Sequence, residues 1–156
     1  MKNIIDEKQF ENHIRTEILD KILKNHNDYK LFDFKKAVDI LIAKSGQNPE
    51  LFFLEIKYHK KSHGRLGFGS SKGSGFQPEV LRDKVDYFES NLRWILGNIE
   101  SEKYWFADND TIRNYLSGGG IGRKYNNIQA RFFKEVEPIT KAELKRLLKQ
   151  WLMTKN

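Results

Sequence analysis

The chain has 156 residues, no cysteine, and 28 Lys and Arg against 21 Asp and Glu, a formal net charge of +7. This length can close one domain's core without cross-links, and the lack of thiols excludes disulfides, a cysteine nucleophile and a Cys-based zinc site, which fits a reducing cytoplasm. The longest apolar runs, such as Ile40–Ala43 and Leu51–Leu54, are four residues long, so neither a signal peptide nor a membrane span is expected. The basic excess suggests an anionic partner, with nucleic acid one candidate.

In chain order, Phe10, Ile14, Ile18, Leu19, Ile22 and Leu23 recur at helical spacing and predict an amphipathic helix over Glu7–Leu23. Tyr29–Phe34 and Ala37–Ala43 read as strands, and a Gly46-Gln47-Asn48-Pro49 turn leads to Leu51–Tyr58, the most strand-like run of the chain. A basic, glycine-rich loop from Lys60 to Gly75 follows. Pro78 then fits the first turn of a helix with the stripe Leu81, Val85, Phe88, Leu92 and Leu96, stopped by Gly97. Lys103–Ala107 reads as a strand and Thr111–Leu116 as a short helix ended by Gly118-Gly119-Gly120. Ile128, Ala130 and Phe132 alternate like a strand, and Thr140 with Glu143 forms a capping box for a last helix carrying Leu144, Leu147, Leu148 and Trp151. The order is helix, three strands, helix, strand, then a strand-helix extension.

The chemistry concentrates in Asp39 and the triplet Glu55-Ile56-Lys57. Acid-x-Lys triplets occur five times, but those at Asp6, Asp28, Asp33 and Glu143 sit in polar, terminal or turn-like contexts. Glu55-Ile56-Lys57 follows the four apolar residues Leu51–Leu54. Strand alternation sends Glu55 and Lys57 to one face beside Phe53, and Leu54, Ile56 and Tyr58 to the other. Charge at the rim of an apolar sheet costs desolvation unless a partner offsets it, and a divalent cation with bound phosphate is one such partner. Asp39 sits similarly between Ala37-Val38 and Ile40-Leu41-Ile42. If the two strands pair, Asp39 and Glu55 can share a metal; the simpler alternative is an exposed Glu/Lys pair on an edge strand.

Val38-Asp39-Ile40-Leu41-Ile42 followed by Phe53-Leu54-Glu55-Ile56-Lys57 resembles the PD-(D/E)xK nuclease superfamily, with Val38 where that family usually has Pro. The resemblance implies an α/β fold with a restriction-endonuclease-like core over about residues 7–107, and a C-terminal extension over about 108–156, within a single nuclease domain spanning 1–156. It implies Mg²⁺ held by Asp39, Glu55 and the Ile56 carbonyl, with Lys57 orienting or deprotonating the attacking water. Such nucleases often carry a further acid on the first helix. Glu11 falls between Ile14, Ile18 and Ile22 on the apolar face, making it the candidate for a metal or water contact, with Glu17, at the edge of that face, as runner-up.

Lys60, Lys61, His63, Arg65 and Lys72 in the glycine-rich loop offer phosphate or base contacts, and Gln77 could read a base edge or sit near the metal. Arg123 and Lys124 are a weaker candidate pair of the same type. The order Lys72-Gly73-Ser74 is the reverse of a phosphate loop's Gly-Lys-Ser, so no nucleotide cofactor is expected. His59 and His63, at a strand end and in a loop, do not make a zinc site. The expected activity is Mg²⁺-dependent hydrolysis of double-stranded DNA, most simply by a homodimeric type II restriction endonuclease on a palindromic site. A structure-selective nuclease such as a junction resolvase, and a non-catalytic basic DNA-binding module, are the alternatives.

Overall fold

The computed structural model describes residues 7–33, 38–59, 66–67, 77–117 and 127–154. The described residues open with helix α1 (Glu7–His13), which continues through a π-helical stretch (Ile14–Leu19) into α2 (Asp20–Leu23). Strands β1 (Tyr29–Asp33), β2 (Ile40–Lys44) and β3 (Glu50–Tyr58) follow as an antiparallel meander. The turn between β2 and β3 contains Gly46 at φ +108°, a backbone conformation that glycine adopts without steric cost.

After β4 (Leu66–Gly67) come helices α3 (Gln77–Asp83) and α4 (Asp86–Asn91), then strands β5 (Leu92–Asn98) and β6 (Lys103–Ala107). The main sheet has the order β1-β2-β3-β5-β6, with β3 and β5 parallel and the other pairs antiparallel. Helix α5 (Asn109–Arg113), β7 (Leu116–Ser117), β8 (Asn127–Ile128), α6 (Phe132–Glu135) and α7 (Lys141–Met153) complete the chain. A small second sheet runs β4-β8-β7.

Two apolar cores lie on opposite faces of the main sheet. Phe52, Leu54, Ile56 and Tyr58 of β3 pack with Phe10, Ile14 and Ile18 from the first helical segment and with Leu144, Leu148 and Trp151 of α7. Trp94 and Leu96 of β5 pack with Val80, Leu81, Ile112 and Phe132 on the other face, where Phe53 also lies. The period-2 alternation of β3 thus divides its side chains between two cores. The Thr140 hydroxyl accepts the Glu143 amide and starts α7 where the capping box predicts.

Four expectations need correction, one being the short helix expected over Thr111–Leu116, which runs over Asn109–Arg113 and leaves Leu116 in β7. Leu92–Asn98 is not the end of a helix but the interior strand β5, and Gly97 lies within it instead of stopping a helix. A buried parallel strand is a continuous apolar run, and the Leu81-to-Leu96 stripe fits a helical period by coincidence. The helix expected from Pro78 is in fact two short ones that end at Asn91. Finally, the strand through Ala130 and Phe132 stops at Ile128, and Phe132 begins α6. The helix, three strands, helix, strand core is therefore closed by β5, and Lys103–Ala107 is the further edge strand β6. No helix among the described residues is long and apolar enough to cross a membrane.

Candidate metal centre

The site lies where β2 begins beside the second half of β3. Regular pairing ends with Ile40 and Leu54, which leaves Asp39 beside the Leu54–Ile56 stretch of β3. The Asp39 amide donates to the Leu54 carbonyl at 3.1 Å, and the Asp39 Oδ2 accepts the Ile56 amide at 2.6 Å. Asp39 therefore turns its side chain back onto β3, and the peptide between Glu55 and Lys57 fixes the carboxylate. Ile56 meets Asp39 through its amide.

Helix α1 supplies the other carboxylates. Phe10 and Ile14 are fully buried against the sheet, so the helix cannot rotate without exposing them. Their burial fixes the flanking polar positions. One oxygen each of Glu7, Glu11 and Asp39 lie within 4.8 Å of one another. Glu7 and Glu11 are one helical turn apart, which places both over the same point of the sheet. Glu17 is elsewhere: it pairs with Lys21 at 2.9 Å and Lys141 at 3.5 Å. Glu11, not Glu17, shares the cluster with Asp39.

Glu7 was not singled out by the sequence, because it sits at the very start of the helix. A signal was present in the Glu7/Glu11 spacing of four, which stacks two acids on one side of a helix. Glu7 also reaches Lys57: Oε1 lies 3.9 Å from Nζ. Burial raises the Glu7 carboxyl above its ordinary value; the Lys57 ammonium opposes that shift and the Asp39 charge adds to it.

Glu55 and Lys57 are 1% and 6% exposed, so both are buried, unlike the exposed edge-strand pair that is the simpler alternative. Alternation explains their direction, since Leu54, Ile56 and Tyr58 fill the core beneath α1. Glu55 is not one of the three clustered carboxylates. It lies one strand across from Asp39, and Lys57 meets the cluster through Glu7.

The donor set suits a hard divalent cation. Three carboxylates with oxygens within 4.8 Å of one another repel, and an ion with oxygen preference relieves that repulsion. An open cleft of about 630 Å³ reaches this point, lined by Lys8, Gln9, Glu11, Asn12, Arg15, Asp39 and Ile40.

Lys60, Lys61, His63, Arg65, Lys72, Arg123 and Lys124 lie outside the described residues, and Gln77 opens α3 with its side chain outside them as well. His59 stacks on Phe133 at 3.6 Å between ring centroids and meets the edge of Trp105, a packing role.

No family model matches the chain, and no curated protein matches it. Among solved structures, a nuclease from a fusselovirus aligns with 99% of this chain and 99% of its own, at 13% identity and a TM-score of 0.50. A Holliday junction resolvase from Archaeoglobus fulgidus, an archaeal hyperthermophile, aligns with 90% of this chain and 95% of its own, at 15% identity and a TM-score of 0.49. At 13% identity the likeness to the viral nuclease is one of fold: this chain has a mixed α/β, restriction-endonuclease-like architecture, the one implied by its PD-(D/E)xK-like pattern.

Proposed function

We propose that the protein is a metal-dependent DNA endonuclease. The observation that carries this reading is the meeting of the Glu7, Glu11 and Asp39 carboxylates beside the buried pair Glu55 and Lys57 at the adjoining strands. Burying an acid and a lysine on a central strand costs desolvation that a surface ion pair would not incur, which weighs against a purely structural role.

Asp39, Glu11 and Glu7 would hold Mg²⁺, with Glu55 and the Ile56 carbonyl as the further ligands from β3. When bound, the ion supplies charge stabilisation at the scissile phosphate and lowers the pKa of a coordinated water. The chain's own groups do the rest. The Ile56 amide holds the Asp39 carboxylate in one orientation. Lys57, kept near the carboxylates by Glu7, orients or deprotonates the attacking water and offsets charge that develops on the phosphate. Its buried stem restricts where the ammonium can go, so little reorganisation is needed at the moment of reaction.

In its finer form, the reading is a homodimeric, sequence-specific restriction endonuclease acting on double-stranded DNA in the cytoplasm. One such site cuts one strand, so two copies related by a two-fold axis are the simplest way to cut both strands of a palindrome. Incubating plasmid DNA and a four-way junction with the protein in Mg²⁺ or in EDTA tests each level. Discrete plasmid bands that vanish in EDTA support the full reading. Paired nicks at the junction with intact plasmid would replace restriction by junction resolution. Binding without cleavage in any divalent ion would reduce the protein to a DNA-binding module.

A further inference from the structure

We propose that Lys8, Asn12 and Arg15 form a binding stripe for the sugar–phosphate backbone of one DNA strand and lay that strand across the Glu7, Glu11 and Asp39 carboxylates. The inference rests on the endonuclease reading and names how its substrate is seated.

Lys8, Glu11, Asn12 and Arg15 recur at i, i+3, i+4 and i+7 and therefore share one face of the first helical segment. The packed face beside this stripe carries Phe10 and Ile14, both fully buried, so the stripe has a fixed orientation. That stripe forms one wall of the open cleft, and Asp39 with Ile40 at the start of β2 forms another. The cations thus face the same space as Glu11 and Asp39 of the carboxylate cluster.

Charge gives the cleft its meaning. Three carboxylates alone repel a polyanion, and cations placed beside them offset that repulsion without occupying the metal's position. Lys8 and Arg15 are seven residues apart, about 10 Å along a helix axis, with Glu11 between them. A single phosphate cannot touch both. A polymer with phosphates at regular intervals can, placing one phosphate at the carboxylates and its neighbours at the two cations. Arg15 offers a planar fork for phosphate oxygens, Lys8 a mobile point charge and Asn12 an amide donor. Contacts of this kind fix position along the backbone and carry no base information.

Fluorescence anisotropy with two labelled duplexes of unrelated sequence, in Ca²⁺ instead of Mg²⁺ and across a salt series, tests this. Lys8→Ala and Arg15→Ala should each weaken both duplexes alike, by about tenfold near 0.1 M salt, and each should flatten the slope of log affinity against log salt by about 1. Arg15→Lys should recover part of the loss. Thermal melts matching the wild type would show that the variants fold. A double variant Lys8→Ala/Arg15→Ala with wild-type affinity and salt slope, while the wild type cuts DNA, would overturn the stripe and leave the endonuclease reading standing. A wild type that shows the predicted salt slopes but never cuts would retain the stripe and remove the enzyme. A wild type that binds neither duplex removes both.

Discussion

The Asp39 carboxylate accepts a 2.6 Å hydrogen bond from the Ile56 amide, so an acid at the head of β2 completes the backbone pairing of β3. Regular pairing between these strands ends with Ile40 and Leu54, extended by the Asp39 amide to the Leu54 carbonyl. Asp39 is thereby both a structural acceptor and one of the three clustered carboxylates. These two roles separate on substitution.

Asp39→Asn keeps an oxygen for the Ile56 amide and removes the charge, whereas Asp39→Ala removes both. Both variants should lose Mg²⁺-dependent cleavage. Asp39→Ala should in addition lose about 1–3 kcal/mol of stability, the cost of leaving a shielded amide without its acceptor, while Asp39→Asn should lose less. Urea denaturation compares them directly. Equal midpoints for the two variants would show that the bond adds nothing to the fold.

Glu55 and Lys57 should trade stability against activity. Glu55→Gln preserves shape and removes a charge held at 1% exposure, so its unfolding midpoint should be at least that of the wild type while cleavage is abolished. Lys57→Met preserves the stem and should lose cleavage by at least roughly 10²-fold, the scale of a positioned acid, base or electrostatic group. DNA binding in Ca²⁺ should persist in both. Near-wild-type cleavage by Lys57→Met would assign Lys57 to a packing role.

Much of the arrangement behind these predictions is legible in the sequence. Alternation in Leu51–Tyr58 separates the charged from the apolar residues of β3, and the two cores on opposite faces reflect that division. The first helix is legible from Phe10, Ile14 and Ile18 for the same reason of period. The strand Leu92–Asn98 is not, because a strand buried on both faces loses the alternation that identifies it, and Leu92 and Leu96 happen to extend a helical stripe. Glu7 is missed for a different cause. Its spacing of four from Glu11 is a local signal, but its partners Asp39 and Lys57 are distant in sequence, and that meeting is made only by packing α1 against β3.

His13 links stability to pH. Its Nε2 lies 2.8 Å from the Tyr104 hydroxyl, and its ring stacks against Tyr104 and Phe10. Burial, with the charge of Lys141 adding and that of Glu17 opposing, holds its pKa below the ordinary histidine value. The unfolded chain therefore takes up this proton at a higher pH than the folded one. Stability from this site is complete above the unfolded pKa of about 6.5 and falls as the pH drops from there toward the lower folded value. Urea midpoints at pH 7.5 and pH 5.5 should accordingly show a larger drop in the wild type than in His13→Gln, which cannot titrate. A drop of the same size in both proteins would assign the acid sensitivity to other groups.

Gly97 ties the hidden strand to the site. A methyl group there would lie 2.7 Å from Phe10 Cζ, 2.9 Å from the Lys103 carbonyl oxygen and 3.1 Å from Tyr104 Cδ1. The Lys103 oxygen belongs to the paired strand β6 and cannot withdraw without breaking the sheet. Phe10 can move, but it is the residue that seats α1, and α1 carries Glu7 and Glu11. Gly97→Ala should therefore destabilise the protein by about 1–3 kcal/mol, the range for overpacking a filled core. It should also lower cleavage in the fraction that remains folded, because displacing α1 separates its carboxylates from Asp39. A compensating Phe10→Leu, which shortens the obstructing side chain, should recover part of both losses. Cleavage rates measured at a temperature where each variant is fully folded separate the two effects: a Gly97→Ala protein that is less stable but cuts at the wild-type rate would show that α1 holds its place without Phe10 in its native position.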